Sequence, residues 1–420
     1  LSETGRSFKN IARFRLGTKT CFLLLNPDYV KHALLDNSPN YVKSSLNKML
    51  KPVLGEGLFT SEGAQWRRQR QMVQPAFHPK HLEAMRGAME KEIDRLLARW
   101  EEWADRREPF DLAQEMRELT MRIVLHTIIV TRSEKDLSAI QEAIFTLLRE
   151  GNKQLFSFAP LPPWLPLLGM RRSREAIHAL DRFVYEIIRE LRESPSDGSD
   201  ILSMLMEAAD ESGGERMEDR QLRDEILTLF IAGHETTANA LTWTWIVLSR
   251  DPEAQERLYH EVTQPPSEGA PEEAEQARFT YSRQVFDEIL RLYPPAWIFT
   301  RQAVREDHIG EAAIPAGALL LFSPWVLHRL PDYWENPEAF DPDRFAPDKA
   351  SSISRFLYLP FGAGPRRCVG ANFAGMEALL TLTKITRHFR LGLYGNAEVT
   401  PQALLTLRPR GKVWVQAVKR

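Results

Sequence analysis

One stretch of this chain limits its fold more than any other. Residues 226–248, Ile226 to Leu248, are apolar in bulk and long enough to span a bilayer, yet they carry His234, Glu235, Asn239 and several threonines near their middle. Polar and ionisable groups at bilayer depth are costly. A surface helix would instead leave much of this apolar stretch against water. The remaining solution is a long buried helix, predicted over Asp219–Arg250 and wrapped by others. The chain can supply the wrapping: its 420 residues are 43% hydrophobic and 27% charged, which excludes a disordered, collagen-like or multi-span membrane protein.

Lys plus Arg (55) nearly balances Asp plus Glu (57), for a net charge of -2, so no basic excess points to nucleic acid. Cys21 and Cys368 permit at most one disulfide, which excludes a disulfide scaffold and a Cys-only zinc site and suits a reducing, cytoplasmic setting. The residues from Leu1 to Asn10 are polar, with no signal-peptide core, and no membrane span is expected in the given chain.

Apolar spacings of three and four predict helices over 64–73, 79–106, 111–130, 134–149 and 172–192, then 252–263, 280–293 and 376–389, the last with a start that can reach back to Gly370. Asn26-Pro27-Asp28 caps a short helix through Leu35, preceded by a strand at 21–25. Pro160, Pro162, Pro163 and Pro166 break residues 154–170 into an apolar loop, and 264–276 reads as a solvated one. Later segments 298–305, 318–322, 404–407 and 413–418 read as strands around a Pro-rich meander at 331–361. The expected architecture is mainly α with a small β region, one unit over residues 1–420.

Three familiar motifs fail. His234-Glu235 opens a zinc-protease H-E-x-x-H, but Ala238 stands where the second His belongs. Gly362-Ala363-Gly364 ends in Arg367 instead of the third Gly of a dinucleotide fingerprint. No G-x-S-x-G supports a serine hydrolase.

The most informative segment runs from Phe361 to Gly370, Phe-Gly-Ala-Gly-Pro-Arg-Arg-Cys-Val-Gly. Two glycines allow a tight bend before Cys368, which sits ahead of a helix start where amides and two arginines favour a thiolate. Such a cysteine is a nucleophile, a metal ligand, or an inert buried thiol. No partner Cys or His lies at zinc spacing, so a metal held here brings its other ligands with it, as haem does.

Phe361, Gly364, Arg366, Cys368 and Gly370 fit F-x-x-G-x-R-x-C-x-G at every fixed position. The segment resembles the haem-binding loop of the cytochromes P-450, the haem-thiolate monooxygenases, in a soluble bacterial-type form. The resemblance implies a helical body with a long central helix over the haem, small sheets, and haem b (iron protoporphyrin IX) ligated by Cys368. Three further matches follow family order. Glu288 and Arg291 resemble the family's E-x-x-R, joined by Arg344 of Asp341-Pro342-Asp343-Arg344-Phe345, a structural set fixing the meander; alone, such a pair is usually a surface contact. Ala232-Gly233-His234-Glu235-Thr236 resembles A-G-x-[DE]-T, in which Gly233 leaves room over the iron, Thr236 donates to bound dioxygen and Glu235 brings protons; alone it reads as a kinked core helix. Trp66 and Arg70 match W-x-x-x-R and, with Arg301 and Arg366, are expected to hold the haem propionates.

By family position the substrate pocket takes Phe230, Ile231 and Ala232 from the central helix. Ala296, Trp297, Ile298 and Phe299 follow the Pro pair, and Leu404 and Leu405 come from the terminal sheet. Residues 156–168 form a lid. Nearly all are apolar, so the implied substrate is a fatty acid, terpenoid or other lipophilic product. Arg67, Arg68, Arg70 and Arg367 suit an acidic redox protein; with no fused electron-transfer domain, a separate ferredoxin or flavoprotein supplies electrons. A peroxide-driven haem-thiolate enzyme and a non-catalytic haem gas sensor are the alternatives.

Overall fold

The computed structural model describes residues 7–44, 47, 50–128, 140, 142–144, 146–147, 149–150, 168–194, 200–208, 214–264, 279–395 and 398–420. The predicted helix over 134–149 lies largely outside the described residues, as do the lid up to residue 167, most of the loop at 264–276, and parts of the turns at 194–200 and 211–215.

Two hairpin strands, β1 (Ile11–Leu16) and β2 (Lys19–Leu24), lead into α1 (Pro27–Lys31). Asn26 caps α1, its side-chain oxygen accepting from the Asp28 amide at 2.8 Å, with Pro27 at the first helical position as expected. After β3 (Tyr41–Lys43) come α2 (Lys51–Leu54), α3 (Gly63–Val73) and α4 (Pro79–Arg106). Residue 111, predicted to open the next helix, instead lies in strand β4 (Phe110–Asp111), which pairs with the C-terminal strand; α5 (Leu112–Ile128) follows. Helices α6 (Leu168–Glu193), α7 (Ile201–Glu207), α8 (Asp219–Leu248), α9 (Pro252–Thr263) and α10 (Thr280–Leu292) continue the chain. Helix α8 is the long buried element that the apolar stretch demanded.

The last third carries β5 (Phe299–Ala303), β6 (Asp307–Ile309), β7 (Ala312–Ile314) and β8 (Leu319–Phe322). Helix α11 (Ala371–His388) then precedes β9 (Phe389–Leu393), β10 (Pro401–Ala403), β11 (Leu407–Pro409) and β12 (Trp414–Lys419). The strand predicted at 404–407 is a hairpin turn: Leu404 to Thr406 join β10 to β11, and the Leu404 amide bonds the Thr406 carbonyl at 3.1 Å. Alternation could not separate a two-sided strand from a tight apolar turn.

The chain divides into two compact units, the boundary falling inside α8 between Glu235 and Thr236. The first comprises Leu1–Ser44, Ile93–Arg117 and Thr236–Arg420. It holds a five-stranded sheet in the order β1-β2-β8-β5-β3, in which β2 and β8 pair in parallel. Cys21, Phe22, Leu23 and Leu24 of β2 and Leu319–Phe322 of β8 are buried at its centre. The second comprises Ser45–Glu92 and Glu118–Glu235. Here α5 lies against α8: the Thr120 hydroxyl donates to the His234 carbonyl at 2.9 Å, and a Cβ on Gly233 would meet Val124 at 3.3 Å. No described helix is long and apolar enough to cross a membrane.

Candidate active site

The cysteine loop is built by its glycines. Gly362 and Gly364 take φ of +69° and +71°, the left-handed region that side chains disfavour. Gly364 has a second reason to lack a side chain: a Cβ there would lie 1.9 Å from the backbone oxygen of Leu34, in the π-helical segment His32–Asp36 that continues α1. The loop closes when the Cys368 amide donates to the Phe361 carbonyl at 2.9 Å, and Gly370 caps α11. Neither cysteine is in a disulfide; Cys368 is exposed and Cys21 is buried.

Behind the loop stands a buried ion-pair network. Glu288 and Arg291 on α10 both have 0% exposed side chains, and Arg291 grips the carboxylate with two bonds, Nε to Oε2 at 2.6 Å and Nη2 to Oε1 at 2.7 Å. Its other donors reach the carbonyls of His328 (2.9 Å), Pro337 (2.6 Å) and Ala339 (2.9 Å). Burial pushes the Glu288 carboxyl up, and Arg291, the Asp341 amide and Arg344 pull it down. Arg344 Nε lies 3.5 Å from Glu288 Oε1, completing the expected trio. The pair is therefore not the surface contact its spacing alone suggests, because two meander carbonyls and that of His328 fold around the guanidinium.

Of the expected pocket residues in this unit, Ala296 is exposed and Trp297, Ile298, Phe299 and Leu405 are partly exposed. Trp297 also acts as a tether: its indole N–H donates to the Leu404 carbonyl at 2.8 Å, while the Leu407 amide bonds the Pro295 carbonyl at 2.9 Å and Asn239 reaches the Thr406 hydroxyl at 3.2 Å. Arg301 sits mid-strand in β5, paired with Leu320 and Lys43, its Nη1 on the Thr300 carbonyl at 2.9 Å. Arg366 ends the short turn Gly364–Arg366.

Thr236 is half-exposed although α8 is buried from Thr237 to Ile246. Sequence reasoning missed Glu377, on α11. Its side chain is fully buried, and burial pushes the carboxyl well above its ordinary range, with Thr237 nearby offsetting only part of that rise. The available signal was a lone carboxylate inside the apolar run Phe373–Leu382.

In the second unit, Ala232 is exposed and Ile231 and Gly233 are half-exposed, while residues 222–230 and His234 are buried. Helix α8 thus opens at its middle. A Cβ on Gly233 would press on Val124 of α5 at 3.3 Å, so the glycine also eases the approach of α5. Phe230 is core, 2% exposed, with its ring 5.8 Å from that of His234. Glu235 is 6% exposed. Trp66 and Arg70 lie one turn apart on α3, both partly exposed, with Arg70 Nε on Gln74 at 2.9 Å. Of the basic residues expected to attract a redox protein, Arg68 pairs with Glu215 at 3.3 Å, and Arg67 and Arg367 are exposed.

No group of three or more His, Cys, Asp or Glu among the described residues is placed to hold a metal ion. An exposed thiol on a stiff loop can thus give a metal one protein ligand, and the donor set fits a group whose other ligands are its own. The family model for cytochrome P450 matches residues 1–414. The chain belongs to the cytochrome P450 family. Among relatives, a Streptomyces melanosporofaciens protein named cyclooctatin synthase is 35% identical over 95% of this chain and 86% of its own length. Pentalenene oxygenase from Streptomyces avermitilis is 31% identical over 95% of this chain and 88% of its own. A solved cytochrome P450DA heme domain superposes with a TM-score of 0.88 at 24% identity, covering 100% of this chain and 91% of that one. The fold is that of P450 heme domains, and the chain is a P450 monooxygenase.

Proposed function

We propose that this P450 inserts one oxygen atom of dioxygen into an apolar natural product of terpenoid type, with electrons from a separate ferredoxin or flavoprotein. The observation that carries the reading is the exposed Cys368 on its glycine-shaped loop, in a chain whose relatives include an oxygenase named for pentalenene and a monooxygenase named for cyclooctat-9-en-7-ol. Both names denote unsaturated, largely hydrocarbon molecules, and the partly exposed side chains of Trp297, Ile298 and Phe299 suit such a guest. The two unbridged cysteines suit a cytoplasmic enzyme.

Haem b, when bound, supplies the oxygen-activating chemistry, with Cys368 as its one protein ligand. Trp66, Arg70, Arg301 and Arg366 hold its carboxylates. Glu235, buried on α8, and the Thr236 hydroxyl one residue on hold and pass protons. The apolar residues orient the substrate and exclude water.

The test is the absorbance spectrum of the reduced protein under carbon monoxide. A long-wavelength Soret band that vanishes in Cys368→Ser is the expected result; a band that survives the substitution overturns the ligand assignment. Thr236→Ala is expected to consume reductant without matching product, and tight coupling in that variant removes Thr236 from the proton path.

A further inference from the structure

A second side chain is built into the support of the cysteine loop. His328 lies between α10 and the meander, with 0% exposure. Its Nε2 receives the Leu359 amide at 2.8 Å, and its Nδ1 lies 3.1 Å from the Arg291 carbonyl. A backbone amide only donates and a carbonyl only accepts, so the ring must be neutral with its proton on Nδ1. Burial agrees, pushing the imidazole down to about 3. Arg291 returns a bond to the His328 carbonyl at 2.9 Å, so helix and meander are tied in both directions. The rings of Trp334 (6.5 Å, 64°) and Tyr358 (5.2 Å, 39°) flank the imidazole and fix its plane.

Leu359 is where this tie meets the cysteine loop. Its carbonyl accepts from the Gly362 amide at 3.1 Å, closing the turn that delivers Phe361, and the Phe361 carbonyl then takes the Cys368 amide. The path from Arg291 through His328, Leu359 and Phe361 to Cys368 is continuous in hydrogen bonds and short peptide segments. We propose that His328 is a positioning residue for the Cys368 ligand, anchoring through its Nε2 the turn on which the loop is hung. This rests on the haem-thiolate reading for its consequence, but not for its geometry.

Two amide substitutions separate the bond from the bulk. His328→Gln places an acceptor near the Nε2 position and can keep Leu359 tied; His328→Asn reaches only as far as Nδ1 and can satisfy the Arg291 carbonyl alone. Hydrogen exchange is measured on peptides spanning 359–368 and, as a reference, α4. The Asn variant is expected to exchange about tenfold faster at 359–368 with α4 unchanged, the effect of losing one buried hydrogen bond. The Gln variant stays within about twofold of the parent. In reduced, carbon monoxide-bound samples warmed together, the Asn variant should convert from the long- to the short-wavelength band about tenfold faster and the Gln variant at the parental rate.

Faster exchange everywhere, or Asn and Gln behaving alike, overturns the proposal and leaves His328 as ordinary core. A parent with no long-wavelength band overturns the haem-thiolate reading instead, while the exchange data still decide whether His328 holds the loop.

Discussion

Arg291→Lys keeps the positive charge at the buried end of α10 and removes its fork. In the parent, all five guanidinium N–H groups are used, two on Glu288 and three on the carbonyls of His328, Pro337 and Ala339. A lysine ammonium has three N–H groups, so at least two of these buried acceptors lose their partner. Each costs about 1–3 kcal/mol, which sums to ~2–6 kcal/mol with a centre near 4. Melting entropy of about 2.1 cal/mol/K per residue over 420 residues gives ~0.9 kcal/mol per kelvin. The variant is thus expected to melt about 4–5 °C below the parent. The assay is differential scanning calorimetry at one scan rate and concentration, with Arg171→Lys as reference because that side chain is 80% exposed beside Glu175. The reference should stay within about 0.5 kcal/mol of the parent. Arg291→Lys melting within 1 °C of the parent refutes the claim that the fork, rather than the charge, holds the meander.

Glu225 on α8 accepts from the Leu58 amide at 2.9 Å, and burial pushes its carboxyl up to about 8. A raised folded value means that stability is lost as pH climbs from about 4.3, the unfolded value, towards 8. Glu225→Gln should therefore gain on the parent across that window and keep a constant advantage above it; a melting difference that is the same at pH 5 and pH 9 removes the argument. Gly362 and Gly364 form a matched pair, both at positive φ, with nothing within 4 Å of a Cβ at the first and the Leu34 oxygen 1.9 Å from one at the second. Gly362→Ala should cost only left-handed strain, roughly 1–2 kcal/mol, and Gly364→Ala clearly more; equal melting temperatures show that the loop does not press on Leu34.

What the sequence made legible was local. Helices α4 and α9 match their predicted ends because Pro79 and Pro252 stand at their starts. Phe361 to Gly370 was readable because its requirements, two left-handed residues and a cysteine before a helix, are written in adjacent positions. What escaped was set by distant parts of the chain. The need for Gly364 comes partly from Leu34, and strand β4 exists because β12 lies beside it. Gly233 has a further reason to lack a side chain in Val124 of α5, 3.3 Å from where a Cβ would stand. Glu377 and His328 gave almost no signal: one polar residue in an apolar helix, or one histidine just ahead of an aromatic meander, is chemically silent until its neighbours are known.

The parallel pairing of β2 with β8 sets Leu23 beside Leu321, about 300 residues later. At synthesis rates of ~5–20 residues per second, the first hairpin leaves the ribosome roughly 15–60 s before its partner strand exists. The π-helical segment carrying Leu34 waits longer still for Gly364. The buttress of the cysteine loop is thus made first and used last. During that interval the apolar β2 strand has one covered edge and one bare edge, the edge that β8 will take. That edge stays open for pairing until β8 has been made, and a substitution that shifts the segment carrying Leu34 is expected to show itself in the cysteine loop at Gly364.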